Sequence, residues 1–357
     1  MTQTKETILA TLSTIALPDG GDLASRDMIR ALKVEGGKIS FIIEAESPQQ
    51  AAQMEPQRKA AEAAVAALDG VESVSAILTA HGPAAKAPEP PQLRVGGHPK
   101  PQAGPMKPAG VKRVLVVGSG KGGVGKSTLS ANLAVALARA GRKVGLLDAD
   151  ILGPSQPRMM GSMQKPVSHD GENMEPIEVH GIKMISIGLL TDPKQAVVWR
   201  GPMLTGALQQ LLFNVNWGDL DVLILDLPPG TGDVQISLAQ KVQIDGALVV
   251  STPQDVALLD AVKAIDMFDK VNVPVVGLVE NMAMYVCPNC GHEDHIFGAG
   301  GVRAEAQARG LPFLGELPLA TEVRQAGDAG TPIAAGEGPL AEAYARLAAD
   351  LVARDAA

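Results

Sequence analysis

Residues 120–128 are GKGGVGKST, and they fit the phosphate-loop pattern G-x-x-x-x-G-K-[ST]. The apolar run RVLVVGS precedes them and a helical pattern follows, which is the strand–loop–helix context that this pattern requires. Glycines let successive backbone N–H groups turn toward phosphate oxygens, and the helix N-terminus adds a favourable partial charge. The residues predicted to bind ATP in this loop are Gly120, Lys121, Gly122, Gly123, Val124, Gly125, Lys126, Ser127 and Thr128.

Two side chains of the loop and one acidic residue elsewhere predict Mg-ATP chemistry. Lys126 is expected to contact the β and γ phosphates, and the Ser127 hydroxyl is expected to bind Mg²⁺. The apolar run LILD ends in Asp226, where a magnesium-linked carboxylate is expected. The following residues, LPPGTGD, place Gly230 where a backbone N–H could sense the γ phosphate. An aspartate at a strand end is often only part of a turn or a helix cap. Asp226 is predicted to bind Mg²⁺ because the chain also contains a phosphate loop.

Strand-like and helical patterns alternate through the rest of this region. Continuous apolar strands separated by helices are typical of a mostly parallel sheet with helices on both faces, an α/β fold with its site along one sheet edge. Clear helical patterns cover Ser127–Ala140 and Val256–Phe268. The apolar runs predicted as strands are VLVVGS (114–119), VGLLDA (144–149), VLILDL (222–227), ALVVST (247–252), VVGLVE (275–280) and PFLGEL (312–317).

A stretch rich in proline and glycine predicts the division of the chain. Residues 81–110 contain eight prolines and five glycines without apolar periodicity, which is typical of a semi-extended linker. Residues 111–357 then form the ATPase domain, and residues 1–80 form a small α+β domain. The patterns of the small domain are a helix in ETILATLSTI, strands at Met28–Val34 and Lys38–Glu44, a helix at Gln49–Leu68 and a strand in VESVSAILT.

Composition and charge narrow the class of protein. The 357 residues are 46% hydrophobic and carry a formal net charge of −8, which argues against general nucleic-acid binding. The start, MTQTKETILATL, does not have the pattern of a signal peptide. Apolar runs such as VLILDL are far shorter than the roughly 20 residues that cross a bilayer. We therefore expect a cytoplasmic protein without stable membrane association.

The only two cysteines, Cys287 and Cys290, lie three positions apart in CPNCGHEDH. A Cys-x-x-Cys pair fits a redox disulfide, zinc or an iron–sulfur cluster, and two thiolates alone complete neither metal site. His292 and His295 could complete a zinc site, although four ligands within nine residues leave little chain to wrap a tetrahedron. Alternatively, two copies of the chain could supply four thiolates at a two-fold axis.

The second lysine of the loop, Lys121, has no role in an ordinary phosphate loop. GKGGVGKST resembles the deviant Walker A motif of the superfamily that includes MinD, ParA, ArsA and the nitrogenase iron protein. This resemblance implies a homodimer in which Lys121 reaches the partner's phosphates and stabilises transition-state charge. Asp148 and Asp150, in LLDADILGPS, match the first switch region of that superfamily. The resemblance implies that Asp150 orients the attacking water and that Asp148 responds to the nucleotide.

One branch of the superfamily is similar over essentially all of residues 112–350, namely the Mrp/ApbC-type (Nbp-like) iron–sulfur carrier ATPases. The resemblance implies an ATPase that carries a [4Fe–4S] cluster bridging two subunits at Cys287 and Cys290. Implied partners are apo iron–sulfur client proteins and assembly factors, and Asn281 is implied to contact adenine. Residues 1–80 more loosely resemble a small iron–sulfur assembly domain. The matching stretches are SGKGGVGKST, LLDADILGPSQPRMMG, VWRGPM (198–203), LILDLPPGTGD, VENMAMYVCPNCGH and IFGAGG.

Two other functions remain open at this point. One is a MinD/ParA-like positioning ATPase, although the Ala-rich C-terminus LAEAYARLAADLVARDAA has no strong basic amphipathic face for membrane targeting. The other is a nucleotide-gated regulator with structural zinc at the Cys-x-x-Cys pair. Metal content distinguishes these functions from a cluster carrier.

Overall fold

The structure is a computed structural model that describes residues 4–17, 20–45, 48–80, 104–190 and 201–357. Residues 81–103 of the predicted linker and residues 198–200 of the VWRGPM stretch lie outside the described residues. The chain divides into two compact units, Met1–Ala87 and Pro88–Ala357.

The first unit has a three-stranded sheet covered by helices. Strands β1 and β2 pair antiparallel, whereas β2 and β3 pair parallel. Its core includes Ile8, Phe41 and Val65, which are all buried. The elements are α1 (Lys5–Leu12), β1 (Ile29–Glu35), β2 (Lys38–Ala45), α2 (Pro48–Gln53), α3 (Glu55–Ala66) and β3 (Ser73–Ala80).

The single helix predicted at Gln49–Leu68 is wrong, because the structure has two helices separated at Met54. Proline lacks an N–H group, so Pro56 cannot donate the hydrogen bond that a continuous helix requires at this position. It is tolerated in the first turn of α3, where no intrahelical donor is needed.

The second unit alternates strands and helices along the chain. Its elements are β4 (Val111–Gly118), α4 (Lys126–Arg139), β5 (Val144–Asp148), α5 (Gln156–Met159), β6 (Ile177–Val179), β7 (Ile182–Ser186), α6 (Gly201–Phe213), β8 (Leu220–Asp226), α7 (Asp233–Lys241), β9 (Gly246–Ser251), α8 (Asp255–Lys270), β10 (Val275–Val286), β11 (Glu293–Asp294), α9 (Gly301–Arg309), β12 (Phe313–Leu319), α10 (Thr321–Ala329) and α11 (Pro339–Ala353).

These strands form one sheet with the order β6-β7-β5-β8-β4-β9-β10-β12, and β11 also pairs with β10. All neighbours are parallel except β6 with β7 and β10 with β11. One apolar cluster packs α4 and α11 on the sheet, and a second cluster packs α6 and α8. Buried side chains on both strand faces explain the continuous apolar runs. The predicted α/β fold with helices on both faces is confirmed.

Two strand features differ from the sequence pattern. The β6–β7 hairpin was not predicted, and its turn places His180 and Gly181 at positive φ values of 48° and 78°. Strand β10 was predicted to end at Glu280 but continues to Val286, because its last residues pair antiparallel with β11. The two cysteines therefore lie in the turn of a hairpin that extends directly from the central sheet.

The last helix, α11, packs its apolar side into the second unit. Tyr344, Leu347 and Leu351 are buried in the same cluster as Leu133 and Leu137 of α4. Within the described ranges, we find no helix with the length and apolar character needed to cross a bilayer.

Candidate functional site: a phosphate loop and a cysteine hairpin

The phosphate loop connects the end of β4 to the start of α4, and glycine is required at several of its positions. Gly123 and Gly125 have φ values of 83° and 87°, which side chains other than glycine rarely adopt. A Cβ atom on Gly120 would lie 2.0 Å from the backbone carbonyl group of Asp260 in α8. The loop is therefore held against α8 by a contact that only glycine permits.

Lys126 and Asp226 form a buried ion pair at the base of the loop. The Nζ of Lys126 donates to Asp226 Oδ1 at 2.7 Å and to Ser127 Oγ at 3.0 Å. The side chains of Lys126 and Asp226 are only 7% and 0% exposed. Ser130 also donates to Asp226 Oδ1, at 2.9 Å. The structure therefore brings together the lysine, the serine and the strand-end aspartate that the sequence predicted to act on one nucleotide.

Asp148 lies beside Asp226, since the two residues are register partners at the ends of β5 and β8. Asp148 Oδ2 accepts hydrogen bonds from the backbone N–H groups of Ser155 and Gln156 and from the Ser186 hydroxyl, at 3.0–3.1 Å. Burial, together with the charge of Asp226, raises the pKa of Asp148 to about 7. Asp148 therefore connects the segment that holds Ser155 and Gln156 to the end of β7, directly beside Asp226.

Asp150 and Lys121 lie at the more accessible side of this cluster. Asp150 Oδ1 accepts from the N–H of Gly153 at 3.2 Å, and its own N–H donates to Asp148 Oδ1 at 3.2 Å. Lys121 is half-buried, and its ammonium has no hydrogen-bond or ion-pair partner within the part of the chain that the structure describes. Gly230 donates its N–H to the carbonyl oxygen of Ser119 at 3.0 Å, directly before the phosphate loop, so this N–H is already paired in the structure.

Asn281 supports the phosphate loop from β10. Its Nδ2 donates to the carbonyl oxygen of Val124 at 2.8 Å, and the residue is buried. A Cβ atom on Gly125 would lie 2.1 Å from that Nδ2, so the amide and the loop backbone are in close contact. The predicted contact of Asn281 with adenine stays a prediction.

The cysteine pair occupies the tight turn between β10 and β11. The N–H of Cys287 donates to the carbonyl oxygen of His292, and the N–H of Gly291 donates to the carbonyl oxygen of Cys287, both at 2.8 Å. Cys290 is exposed and Cys287 is half-buried. The backbone N–H of Asn289, followed by the N–H and thiol of Cys290, lowers the pKa of the Cys287 thiol. The turn therefore favours the thiolate, which is the form that binds metals.

The two nearby histidines do not join the cysteines. His295 Nδ1 lies 2.8 Å from the carbonyl oxygen of Ala283, and His292 is exposed. Over the described ranges, no group of three or more His, Cys, Asp or Glu side chains is arranged to hold a metal ion. This geometry does not favour the closed zinc site that the sequence left open.

Three polar residues of this region were missed by the sequence reasoning. Gln156 bridges Asp226 and Ser127, and Ser130 contacts Asp226. Glu280 is buried and accepts from the N–H groups of Gly300 and Val302, at 2.9 and 2.8 Å, at the start of α9. Gln156 and Glu280 could have been found, because each is a polar residue inside a stretch that matches the related family. Ser130 gives no such signal, because it looks like any small residue in a helix.

The donor set fits Mg²⁺, which prefers oxygen ligands and keeps several of its waters. Ser127 Oγ and the Asp226 carboxylate supply oxygen atoms at the base of the phosphate loop. Gln156 Oε1 is buried beside them without a hydrogen-bond partner among the described residues. The site therefore offers both direct oxygen ligands and a spare acceptor for a metal-bound water.

Comparison with known proteins agrees with this geometry. The family model of the NUBPL iron-transfer P-loop NTPases matches residues 110–352, and an iron-sulfur cluster assembly protein model matches residues 5–76. The chain is similar to the iron-sulfur cluster carrier protein of Pseudomonas fragi, with 53% identity over 67% of this chain and 85% of that protein. It is also similar to the iron-sulfur cluster carrier protein of Synechocystis, with 42% identity over 97% of this chain and 95% of that protein.

In other relatives of the same description, the match spans only 61–66% of the relative's length. A solved structure with a similar fold is a nucleotide-binding protein from Archaeoglobus fulgidus in complex with ADP. It has a TM-score of 0.57 and 39% identity, and the match covers 64% of this chain and 90% of that chain. Because the family model matches well over half of the residues of this protein, the chain belongs to the NUBPL iron-transfer P-loop NTPase family.

Proposed function

We propose that this protein is an ATP-hydrolysing iron–sulfur cluster carrier that acts as a homodimer and transfers a [4Fe–4S] cluster to apoproteins. The observation that carries the proposal is that strand β10 contacts the phosphate loop and leads directly into the cysteine turn. Strand β10 contacts the loop through Asn281 and ends at Val286, directly before Cys287. At about 3.3 Å per residue, Asn281 and Cys287 are roughly 20 Å apart along this strand. Both curated relatives described above are named cluster carriers.

In the proposed reaction, the loop residues 120–128 bind the phosphates of ATP and Lys126 neutralises charge on the β and γ phosphates. Ser127 and Asp226 would hold Mg²⁺, which supplies further positive charge at those phosphates. Asp150 orients the attacking water from the accessible end of the switch segment. Asn281 positions the loop backbone through Val124. Its contact with adenine is part of this proposal.

For the cluster, we propose that Cys287 and Cys290 of two chains supply four thiolates at the dimer axis. The exposed turn and the lowered pKa of the Cys287 thiol support ligation at an accessible site. The apolar side chains of Val286 and Ile296 flank the turn and are exposed. A second copy covering this face would shield them from water, and apo client proteins would receive the cluster there.

Lys121 has no hydrogen-bond or ion-pair partner among the described residues, which motivates a test of catalysis across the dimer. Mixing the inactive chains Lys126→Ala and Lys121→Ala should restore ATP hydrolysis, because one site of each heterodimer then contains both lysines. With random pairing at equal concentrations, we expect about a quarter of the wild-type rate. Hydrolysis is measured by phosphate release across mixing ratios, with heterodimer formation followed by differently tagged chains. Heterodimers that form without any recovered activity would argue that Lys121 acts within its own chain.

Exposed apolar residues beside the phosphate loop motivate a test of the dimer itself. Leu152 in the switch segment and Val256 and Leu259 in α8 are 77%, 66% and 65% exposed. Helix α8 contacts the loop at Gly120. We propose that these side chains belong to the face that Lys121 would share with its partner. We expect Leu259→Asp to weaken ATP-dependent dimerisation at least about 10-fold, as measured by analytical ultracentrifugation.

The matched control is Ile77→Asp, which changes a side chain that is 55% exposed on β3 of the first unit. It should leave the dimerisation constant unchanged. Equal dimerisation constants for the wild type and Leu259→Asp would show that the interface does not include this face.

A further inference from the structure

Gln156, the first residue of α5, contacts three segments of the nucleotide site at once. Its Nε2 donates to Asp226 Oδ2 at 2.8 Å and to the carbonyl oxygen of Ser127 at 3.0 Å. Its backbone N–H donates to Asp148 Oδ2 at 3.1 Å. The switch segment, the end of β8 and the phosphate loop therefore meet at one side chain, which is completely buried.

The two acceptors fix the orientation of this amide. If the amide were flipped, its oxygen would face the Asp226 carboxylate and the Ser127 carbonyl, both of which only accept hydrogen bonds. Nε2 therefore points at these acceptors, and Oε1 occupies the other branch of the amide. Both oxygens of Asp226 accept donors from the protein, namely Lys126 and Ser130 on Oδ1 and Gln156 on Oδ2.

The remaining atom, Oε1, is buried and has no hydrogen-bond partner among the residues that the structure describes. An unpaired buried acceptor is destabilising, and few such atoms occur in native proteins. A methionine of similar size would fill the same space without this cost. The oxygen is therefore best explained by a donor that arrives with the ligand of the site.

We propose that Gln156 is a positioning residue for Mg²⁺, with Nε2 holding the Asp226 carboxylate in place and Oε1 accepting a hydrogen bond from a metal-bound water. The inference rests on the proposed Mg-ATP function of the site. Mg²⁺ usually keeps several waters when it binds between a carboxylate and phosphates, so water donors are present in such a site. Groups that hydrogen-bond to metal ligands typically change metal affinity by about 10–100-fold.

Because Gln156 also begins the helix that follows the switch segment, it links metal binding to the position of that segment. Its backbone N–H holds Asp148 while its side chain holds Asp226. A metal-bound water on Oε1 would therefore stabilise the switch segment in the position that the structure describes.

The test compares Gln156→Met with Gln156→Glu in the full chain. Both variants lose the Nε2 donor, but only the glutamate keeps an acceptor oxygen near the position of Oε1. The readout is the affinity for a fluorescent non-hydrolysable ATP analogue, titrated with Mg²⁺ and repeated in EDTA. Direct binding of Mn²⁺ to the nucleotide complex, followed by electron paramagnetic resonance, gives an independent measurement that does not depend on turnover.

We expect Gln156→Met to raise the Mg²⁺ concentration at half-saturation about 10–100-fold, with unchanged nucleotide affinity in EDTA. Gln156→Glu should bind Mg²⁺ more weakly than the wild type, because it also loses the Nε2 donor, but clearly more tightly than Gln156→Met, because it keeps an acceptor near the position of Oε1. Equal weakening in both variants, or no weakening in Gln156→Met, would overturn the role of Oε1. If the nucleotide affinity of the wild type does not depend on Mg²⁺, both the proposed function and this inference are overturned.

The control is Asn132→Leu, which removes another buried amide from the helix that follows the phosphate loop. Asn132 donates to the carbonyl oxygen of Thr128 and accepts from the N–H of Ala334, both at 2.9 Å, without contacting Asp226. Its loss should lower thermal stability but leave the Mg²⁺ titration unchanged. If Gln156→Met does not fold, Gln156→Asn serves in its place, because the shortened amide no longer reaches Asp226.

Discussion

Lys126→Ala is expected to reduce ATP hydrolysis at least about 10³-fold and to weaken Mg-ATP binding. The ammonium is the main side-chain partner of the β and γ phosphates in a phosphate loop, and the charge it stabilises grows in the transition state. Its buried position beside Ser127 and Asp226 keeps water from screening that interaction. Steady-state hydrolysis and nucleotide titration together separate lost binding from lost chemistry.

The same substitution should also destabilise the fold, because it leaves Asp226 buried without its cation. Breaking a buried ion pair costs about 3–5 kcal/mol, and Asp148 lies directly beside the unpaired carboxylate. Hydrolysis is therefore compared at a temperature where circular dichroism shows that the variant is folded. Lys263→Ala is the control, since Lys263 forms an exposed ion pair with Asp260 in α8. Near-normal turnover of folded Lys126→Ala would refute the phosphate-loop assignment.

Cys287→Ala and Cys290→Ala are each expected to eliminate cluster binding. Anaerobic reconstitution of the wild type should give about four iron and four sulfide per dimer, as the four-thiolate ligation of a [4Fe–4S] cluster requires. No other cysteine occurs in the chain, so neither thiolate can be replaced from within it. ATP hydrolysis should persist at least in part, because Lys126, Ser127 and Asp226 remain. Iron and sulfide analysis and visible absorption measure the outcome.

The matched controls are His292→Ala and His295→Ala, which change the other candidate ligands of the turn. Both should keep the cluster, since His295 contacts the carbonyl oxygen of Ala283 and His292 is exposed. One zinc per monomer that survives reconstitution and depends on both histidines would support the structural-metal regulator instead. A full cluster on a Leu259→Asp monomer would contradict the bridging arrangement while leaving iron binding intact.

Several features of this protein follow from short stretches of sequence. The phosphate loop could be predicted from residues 120–128 alone, because the spacing of its glycines and lysines determines the local backbone conformation. The parallel sheet follows from apolar runs that separate helical patterns, since both strand faces must be covered. The Cys-x-x-Cys pair is likewise visible as spacing alone. Local patterns were less reliable in two places. Pro56 interrupts a predicted helix, and pairing with β11 extends β10 beyond its predicted end.

Only the tertiary structure decided which polar side chains meet. Asp148 and Asp226 become neighbours because β5 pairs with β8, although β6 and β7 lie between them in the sequence. Gln156 reaches Asp226 from 70 positions away, and Asn281 reaches Val124 from 157 positions away. A hydrogen bond requires atoms about 3 Å apart, so strand order and register determine these contacts. The sequence therefore established the phosphate loop and the cysteine pair, whereas folding determined the network that positions the loop and the contact of His295 with the carbonyl oxygen of Ala283.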